Sequence, residues 1–440
     1  MADLSVNLGG ISSPNPFWLA SAPPTNSGYQ VMKAFDQGWG GAVWKTLGVP
    51  VVNVSSRYGA VNYRDIRMMG FNNIELITDR PLKDNLKEIE EVKKYFPEHA
   101  VIASLMVESR EEWHQIVKDV ENAGADGLEL NFGCPHGMCE RGMGSAVGQE
   151  PNVLETITSW VKEVAHTPVI VKLTPNITDI TEPALAAHKG KADAISLINT
   201  IQSLVGVDID QMVPYPIVDG KSTNGGYCGP AVKPIAQNMV KNCAQLEYGR
   251  LPISGIGGIE NWRDVVEYLL LGATNVQVCT AVMHYGFGIV RDLESGLQQY
   301  MKDKGFQTVN EMVGKALGNV TSWENLNLKY KIVAEIHQEK CIECQLCYTA
   351  CEDGAHQAIG LSEKSRIPYI IEENCVGCNL CSLVCPVEEC ITMERRDNGQ
   401  EQITWKERTE NGTIPTTFND PLAGGRDHWV PDPKDAFNKE

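Results

Sequence analysis

The chain has 440 residues, 42% of them hydrophobic, and a formal net charge of -18 at pH 7. Because this charge is spread along the chain without a basic stripe, binding to the phosphate backbone of nucleic acid or to an anionic membrane surface is excluded as a main function. The N-terminal sequence has no basic region followed by an apolar one, and no apolar run reaches about 18 residues. We therefore expect a soluble, cytoplasmic protein with neither a nucleic acid nor a membrane as partner.

Residues 1–310 alternate short apolar segments of β type with longer helical patterns, a rhythm typical of repeated βα units. Eight segments are predicted as strands: FWLASA ending at Ala22, GAVWKT at Thr46, VIASLM at Met106, GLELNFG at Gly133, VIVKLT at Thr174, AISLINT at Thr200, PISGIG at Gly257 and VQVCTA at Ala281. Eight units in about 300 residues predict an α/β fold, a (β/α)8 TIM barrel, with an open doubly wound sheet as the alternative.

Polar residues stand where several predicted strands end, at the face where TIM barrels carry their active sites. Lys45 and Lys172 lie within apolar strand sequences, and a buried lysine needs an anionic or polar partner. Two such lysines indicate an electron-rich ligand between them. The alternative is that each lysine has a purely structural carboxylate partner.

Glycines close the seventh predicted strand, in the sequence SGIGG (254–258), and precede it in TNGG (223–226), whereas Cys279 and Thr280 close the eighth. Loops after strands seven and eight commonly hold a phosphate in this fold. The chain contains neither G-x-G-x-x-G nor a Walker-type lysine loop, so a resident dinucleotide is not supported. A mononucleotide flavin, FMN, fits better, because a lysine can stabilise the negative charge that its ring gains on reduction.

A polar segment, 311–335, is predicted as a helix-like linker to a second domain, 336–396, and a polar tail follows at 397–440. The second domain contains the pattern C-x2-C-x2-C-x3-C twice, at a constant offset of 34 residues: Cys341, Cys344, Cys347 and Cys351, then Cys375, Cys378, Cys381 and Cys385. This spacing predicts a ferredoxin-like domain with two [4Fe-4S] clusters, in which the fourth cysteine of each run ligates the cluster of the other run. A pair of zinc sites is the alternative. Cluster thiolates need reducing surroundings, so we expect no disulfides.

Several segments carry a resemblance to a known family: LELNFGCPHGMCERGMG, VIVKLTPNITDI, INTIQSLVG and the paired cysteine runs. Over residues 3–395 the chain resembles the dihydropyrimidine dehydrogenases and, more distantly, the dihydroorotate dehydrogenases. The resemblance implies the pyrimidine-reducing subunit of the two-subunit bacterial form. It also implies a barrel homodimer and a separate FAD- and NAD-binding reductase subunit, together a heterotetramer, which passes electrons through the clusters to FMN.

The same resemblance implies roles for individual residues. For FMN binding it implies Ser21, Ala22, Lys45, Thr46, Asn131, Lys172, Gly226, Ile256, Gly257, Gly258, Cys279 and Thr280. For pyrimidine binding it implies Asn73, Glu75, Asn131, Asn199 and Thr200, whose amides and carboxylate match the carbonyl and N–H groups of uracil. Cys134 is the predicted general acid and base, since a thiol with an ordinary pKa of about 8.5 holds a proton at neutral pH. Gly133 departs from the family, which often has serine there.

Two other functions remain open at this point. A dihydroorotate-type oxidoreductase would use the same barrel and cysteine, but a basic contact for the substrate carboxylate is expected at its mouth, and the sequence offers no clear candidate. A non-catalytic electron carrier with a degenerate barrel is the other, against which the presence of Cys134, Lys45 and Lys172 argues.

Overall fold

A computed structural model describes residues 2–362, 366–397, 399 and 401–413, with the side chain of Cys139 excepted. The chain divides into two compact units, Met1–Asn319 and Val320–Glu440. Residues 414–440 of the predicted tail lie outside the described part, and the short helix Trp405–Glu410 belongs to the part of the tail that is described.

The first unit contains a closed barrel of eight parallel strands, which confirms the predicted fold class. The strands are Phe17–Leu19, Gly41–Leu47, Ala100–Leu105, Gly127–Asn131, Val169–Lys172, Ala194–Leu197, Ile253–Ile256 and Asn275–Val278. Each overlaps one of the eight predicted segments, and neighbours in sequence are neighbours in the barrel. The first, sixth and last strands each end three residues earlier than predicted, at Leu19, Leu197 and Val278, and a helix begins at Thr280 directly after the last of them.

Helices pack around the barrel through apolar faces of the 3.6-residue period. They are Gly28–Phe35, Leu82–Tyr95, Arg110–Asn122, Ser145–Gly148, Pro151–Lys162, Thr181–Lys189, Lys233–Ala244, Trp262–Leu270, Thr280–Tyr285 and Val290–Lys304. Several have well-defined ends: Ser109 and Asn261 form capping boxes, and Gly305 ends the last helix in the left-handed conformation. Strands such as Gly41–Leu47 are buried along their whole length, as expected for a parallel sheet covered by helices.

Three smaller sheets in this unit were not predicted. A hairpin, Val6–Leu8 and Ile11–Ser13, packs into an apolar cluster with barrel residues such as Trp18 and Ile170. An antiparallel sheet, here called the mouth sheet, consists of Tyr58–Tyr63, Ile66–Asn73, Ile201–Ser203 and Gly225–Cys228. Its strands come from the connections that follow the second and sixth barrel strands. A two-stranded ribbon, Val207–Asp208 and Val213–Pro214, lies in the second of these connections.

The segment predicted as a helix-like linker contains short 3-10 turns instead, at Leu317–Asn319 and Trp323–Asn325, preceded by the turn Val309–Glu311. Glycine and asparagine in this segment disfavour a continuous helix. Its last residues belong to a strand of the second unit, Lys331–Ile336.

The second unit repeats one backbone pattern at the 34-residue offset of the cysteine runs. Helix Leu346–Glu352 and helix Leu380–Val384 each begin after a residue in the left-handed conformation, Gln345 and Asn379. Strand Lys331–Ile336 pairs with Ile391–Arg396, and Ile359–Leu361 pairs with Pro368–Ile370, both antiparallel. In the described parts of both units, no helix has the length and apolar character that crossing a membrane requires.

Candidate active site and cluster sites

A cavity of about 1140 Å³, partly open to solvent, lies at the carboxyl ends of the barrel strands. Its walls include these predicted site residues: Ser21, Ala22, Lys45, Thr46, Asn73, Glu75, Asn131, Cys134, Lys172, Asn199, Thr200, Ile256, Gly257, Gly258, Cys279 and Thr280. Gly226 does not line the cavity. It lies in the mouth sheet, where its carbonyl accepts a hydrogen bond from Asn73 Nδ2 at 3.1 Å.

Lys45 enters the cavity from the second barrel strand and is paired with a carboxylate. Its Nζ lies 2.5 Å from Glu75 Oε1, and both side chains are at least nine-tenths buried. Arg57 Nη1 lies 3.4 Å from the same oxygen, and the Tyr58 hydroxyl donates to Glu75 Oε2. Burial, followed by the interaction with Glu75, raises the pKa of Tyr58 well above its ordinary value, so its phenol is a hydrogen-bond donor at neutral pH.

Amide side chains form a hydrogen-bonded row across the strand ends. Asn199 Nδ2 donates to Asn131 Oδ1 at 3.0 Å, and Asn131 Nδ2 donates to Thr46 Oγ1 at 3.0 Å. The Thr46 hydroxyl in turn bonds Ser104 at 2.9 Å. Each amide is thus held in one orientation, which prepares the row to recognise a planar ligand with both donors and acceptors.

Cys134 lies in the loop after the fourth barrel strand and is only 9% exposed. Its Sγ lies 3.5 Å from the carbonyl oxygen of His136 and packs in an apolar cluster with Met138 and Met143. His136 is also buried, and its Nε2 bonds the backbone oxygen of Glu75 at 3.0 Å. Burial lowers the pKa of His136, so its ring is neutral and donates to that oxygen. The loop thereby ties Cys134 to the segment that carries Glu75.

Lys172 is also paired with a carboxylate, that of Glu129, inside the barrel. The Nζ–Oε1 distance is 3.5 Å, and Glu129 is fully buried. Glu129 Oε2 accepts hydrogen bonds from Ser196 Oγ at 2.8 Å and Gln277 Nε2 at 3.1 Å. Both lysines therefore have the carboxylate partner that the structural alternative required, and both line the cavity as well.

The eight predicted cluster cysteines gather around two small cavities in the second unit. One, of about 310 Å³, is lined by Cys341, Cys344, Cys347 and Cys385; the other, of about 360 Å³, is lined by Cys375, Cys378, Cys381 and Cys351. Each cavity thus meets three cysteines of one run and the fourth cysteine of the other. Backbone amides point at sulfur in both, with Glu343 N 3.5 Å from Cys341 Sγ and Ala358 N 3.3 Å from Cys351 Sγ. Such amide contacts are typical around cluster thiolates, whose charge they stabilise.

Comparison with known proteins gives two family matches: residues 3–301 match dihydroorotate dehydrogenase, and residues 334–393 match the 4Fe-4S dicluster domain. The first match covers more than half of the chain. The chain belongs to the dihydroorotate dehydrogenase family.

Relatives within this family include proteins named for two different substrates. The chain is 45% identical over 387 residues to the NAD-dependent dihydropyrimidine dehydrogenase subunit PreA of Escherichia coli, covering 88% of this chain and 94% of that protein. It is 44% identical over 347 residues, 76% of this chain and 81% of the relative, to the chloroplastic dihydropyrimidine dehydrogenase (NADP(+)) of Arabidopsis thaliana. It is 35% identical over 325 residues to the catalytic subunit of dihydroorotate dehydrogenase B (NAD(+)) of Thermococcus kodakarensis, covering 72% of this chain and 99% of that protein.

Members of the dihydroorotate dehydrogenase family bind FMN, and the residues of this cavity fit that cofactor. Lys45 and Lys172 offer positive charge to an electron-rich ring. Gly257 and Gly258, with φ of +132° and +67°, form a turn that side chains rarely permit. The 4Fe-4S dicluster match likewise fits the two sets of four cysteines.

Some cavity residues were not singled out from the sequence. Tyr58 and Phe71 come from the mouth sheet, which was not predicted, and Cys228 comes from the same sheet. Burial raises the pKa of Cys228 to about 11 and that of Cys279 to about 12, so both thiols remain protonated at neutral pH. Glu129 could have been found, because it precedes Asn131 by two residues and so faces the same side of its strand.

Proposed function

We propose that this chain is the pyrimidine-reducing subunit of an NAD-dependent dihydropyrimidine dehydrogenase. It reduces the C5=C6 bond of uracil or thymine, reversibly, to the 5,6-dihydro product. The observation that carries the proposal is the meeting, in one cavity, of Cys134 with the carboxylate of Glu75 and the amides of Asn131 and Asn199. The 45% identity to the Escherichia coli subunit over nearly its whole length supports it.

The polar residues of the cavity wall complement a pyrimidine ring. Uracil offers two carbonyl acceptors and two N–H donors in one plane, and the amides of Asn73, Asn131 and Asn199 can both donate and accept. Glu75 adds an acceptor for an N–H. The hydrogen-bonded row of Asn199, Asn131 and Thr46 holds the amides in place before the substrate arrives, so little ordering is left for the binding step.

Proton transfer is assigned to Cys134. Reduction of the C5=C6 bond needs a hydride at one carbon, which bound FMN supplies, and a proton at the neighbouring carbon. The Cys134 Sγ–H donates this proton, and in the reverse direction the sulfur removes it. Because Cys134 is 9% exposed and packed among methionine side chains, bulk water has little access to the thiol.

A partner subunit is part of the proposal. The Escherichia coli relative is named as a subunit, which supports assembly with a second protein. We propose that this partner binds FAD and NADH, and that two copies of each chain form a heterotetramer around a barrel homodimer. The cluster cysteines require reduced thiolates, which supports a cytoplasmic location.

The test is an anaerobic half-reaction. The purified chain is photoreduced, mixed with uracil in a stopped-flow cell, and its flavin absorbance and the formation of dihydrouracil are followed. The proposal expects flavin reoxidation with stoichiometric dihydrouracil, and a loss of rate of about 10²–10⁴-fold in Cys134→Ala with FMN content unchanged. A flavin that stays reduced with uracil would refute the proposal, and such a flavin reoxidised by orotate would indicate the second candidate.

The second candidate is a dihydroorotate dehydrogenase, which the 35% identical Thermococcus kodakarensis relative supports. Such an enzyme needs a cation for the substrate carboxylate. Arg57 is near the cavity, but it pairs with Glu75 and is not among the residues that line the cavity. This arrangement favours the uncharged pyrimidine. If the flavin responds to neither uracil nor orotate, the function that remains is that of a non-catalytic electron carrier.

A further inference from the structure

Glu129 is a buried acid for which the proposed reaction has no use. It lies on the barrel strand Gly127–Asn131, two residues before Asn131, and is fully buried. Charged side chains are almost never fully buried unless they are paired. Glu129 therefore has a task inside the barrel, and its contacts indicate what that task is.

The two carboxylate oxygens of Glu129 have different contacts. Oε2 accepts hydrogen bonds from Ser196 and Gln277, which hold the carboxylate in place. Oε1 lies 3.5 Å from Lys172 Nζ and accepts no hydrogen bond from any described residue. Lys172 lines the cavity and Glu129 does not, so the ammonium group stands between the buried carboxylate and the cavity.

Each lysine of the cavity wall is paired with one carboxylate, and Glu260 is a further acid that lines the cavity. Lys45 is paired with Glu75, and Lys172 with Glu129. A lone ammonium beside a flavin favours the reduced ring, which carries more negative charge, whereas a buried carboxylate behind it opposes that effect. These electrostatic interactions between the flavin ring, the ammonium and the carboxylate are strong because the barrel interior has a low effective dielectric constant.

We propose that Glu129 is a positioning residue that holds Lys172 Nζ at the cavity wall and offsets its charge, and so lowers the reduction potential of the FMN bound there. The inference concerns this chain's residues and the cofactor of the family, and it does not depend on which substrate is reduced. It assigns a role to a residue that makes no contact with the cavity.

The test compares the midpoint potential of bound FMN, measured anaerobically without pyrimidine, in wild type and Glu129→Gln. Glutamine keeps the shape of the side chain and removes its charge. The expected result is a more positive potential, with the ratio of reduced to oxidised flavin raised at least about tenfold, or about 30 mV for a two-electron couple. An unchanged or more negative potential overturns the proposal.

Ser196→Ala is the matched control, because it removes a hydrogen bond to Glu129 but no charge. Its potential is expected to move less than that of Glu129→Gln, and an equal shift overturns the charge argument. If Glu129→Gln fails to fold with FMN, Lys172→Met is compared with the double variant Lys172→Met/Glu129→Gln. The proposal expects the lower potential in Lys172→Met, which keeps an unpaired carboxylate, and equal potentials overturn it. Because no pyrimidine is present, failure of the uracil assay leaves this result unaffected.

Discussion

Replacing Gly133 by alanine tests what holds the hydrogen-bonded row of Asn199, Asn131 and Thr46, here called the amide row. A Cβ at Gly133 falls 2.4 Å from Asn199 Cβ and 2.5 Å from its Nδ2, whereas real Cβ contacts are essentially never under 3.0 Å. Asn199 must therefore move by at least 0.6 Å, the difference between the closest real contact and this one. That movement disturbs its 3.0 Å hydrogen bond to Asn131. A hydrogen bond contributes about 0.5–1.5 kcal/mol, so we expect uracil affinity to fall up to about tenfold.

The assay is the dissociation constant of uracil, followed by flavin absorbance in the FMN-loaded protein, together with the melting temperature. Overpacking costs about 1–3 kcal/mol, so the melting temperature is expected to fall as well. Gly288→Ala is the matched control, because its Cβ meets no atom within 4 Å. If Gly133→Ala binds uracil as tightly as wild type and melts at the same temperature, the clash does not control the amide row.

Three further predictions concern the thiols and one histidine. Cys351→Ser is expected to remove about half of the bound iron and acid-labile sulfide. Cys390 lines the other cluster cavity but lies outside the two runs, so Cys390→Ser is expected to remove none, and equal iron loss in both variants would contradict the ligand assignment. Because burial lowers the pKa of His136 below its ordinary 6.5, its contribution to stability is present above that pH and is lost as the pH falls below it. The melting temperature should then fall less between about pH 7.5 and about pH 5.5 in His136→Gln than in wild type, and an identical fall would refute this. Burial raises the pKa of Cys243 to about 12, so its contribution to stability is present below the ordinary pKa of a thiol and is lost as the pH rises towards 12. Cys243→Ala should therefore flatten the alkaline loss of stability in chemical unfolding.

The barrel could be predicted from sequence because each strand is a short apolar segment followed by an amphipathic helix, a pattern that local residues determine. The same order places the strand ends at one face, and so Lys45, Asn131, Cys134 and Lys172 were predicted to meet in one place. In the structure all four line the same cavity. Their predicted roles in catalysis and cofactor binding stay predictions until the variants are measured.

The mouth sheet could not be predicted, because its strands pair over long distances in sequence. Asn73 lies opposite Gly226, more than 150 residues away, and neither segment has a strong alternating pattern. Glu129 was missed for another reason. Its spacing to Asn131 indicates the face of the strand on which it lies, but only the pairing of strands shows that Lys172 lies within reach.

The cavity wall is built from two separate parts of the chain, the mouth sheet and the barrel. Its strands belong to two connections, whereas both lysine-bearing strands belong to the barrel itself. Exchange of these two connections would therefore change the cavity residues Tyr58, Phe71, Asn73 and Cys228, while the barrel strands that carry Lys45 and Lys172 are kept. In protein engineering, the same division makes residues 58–73 and 201–228 natural units for transplantation between members of the family.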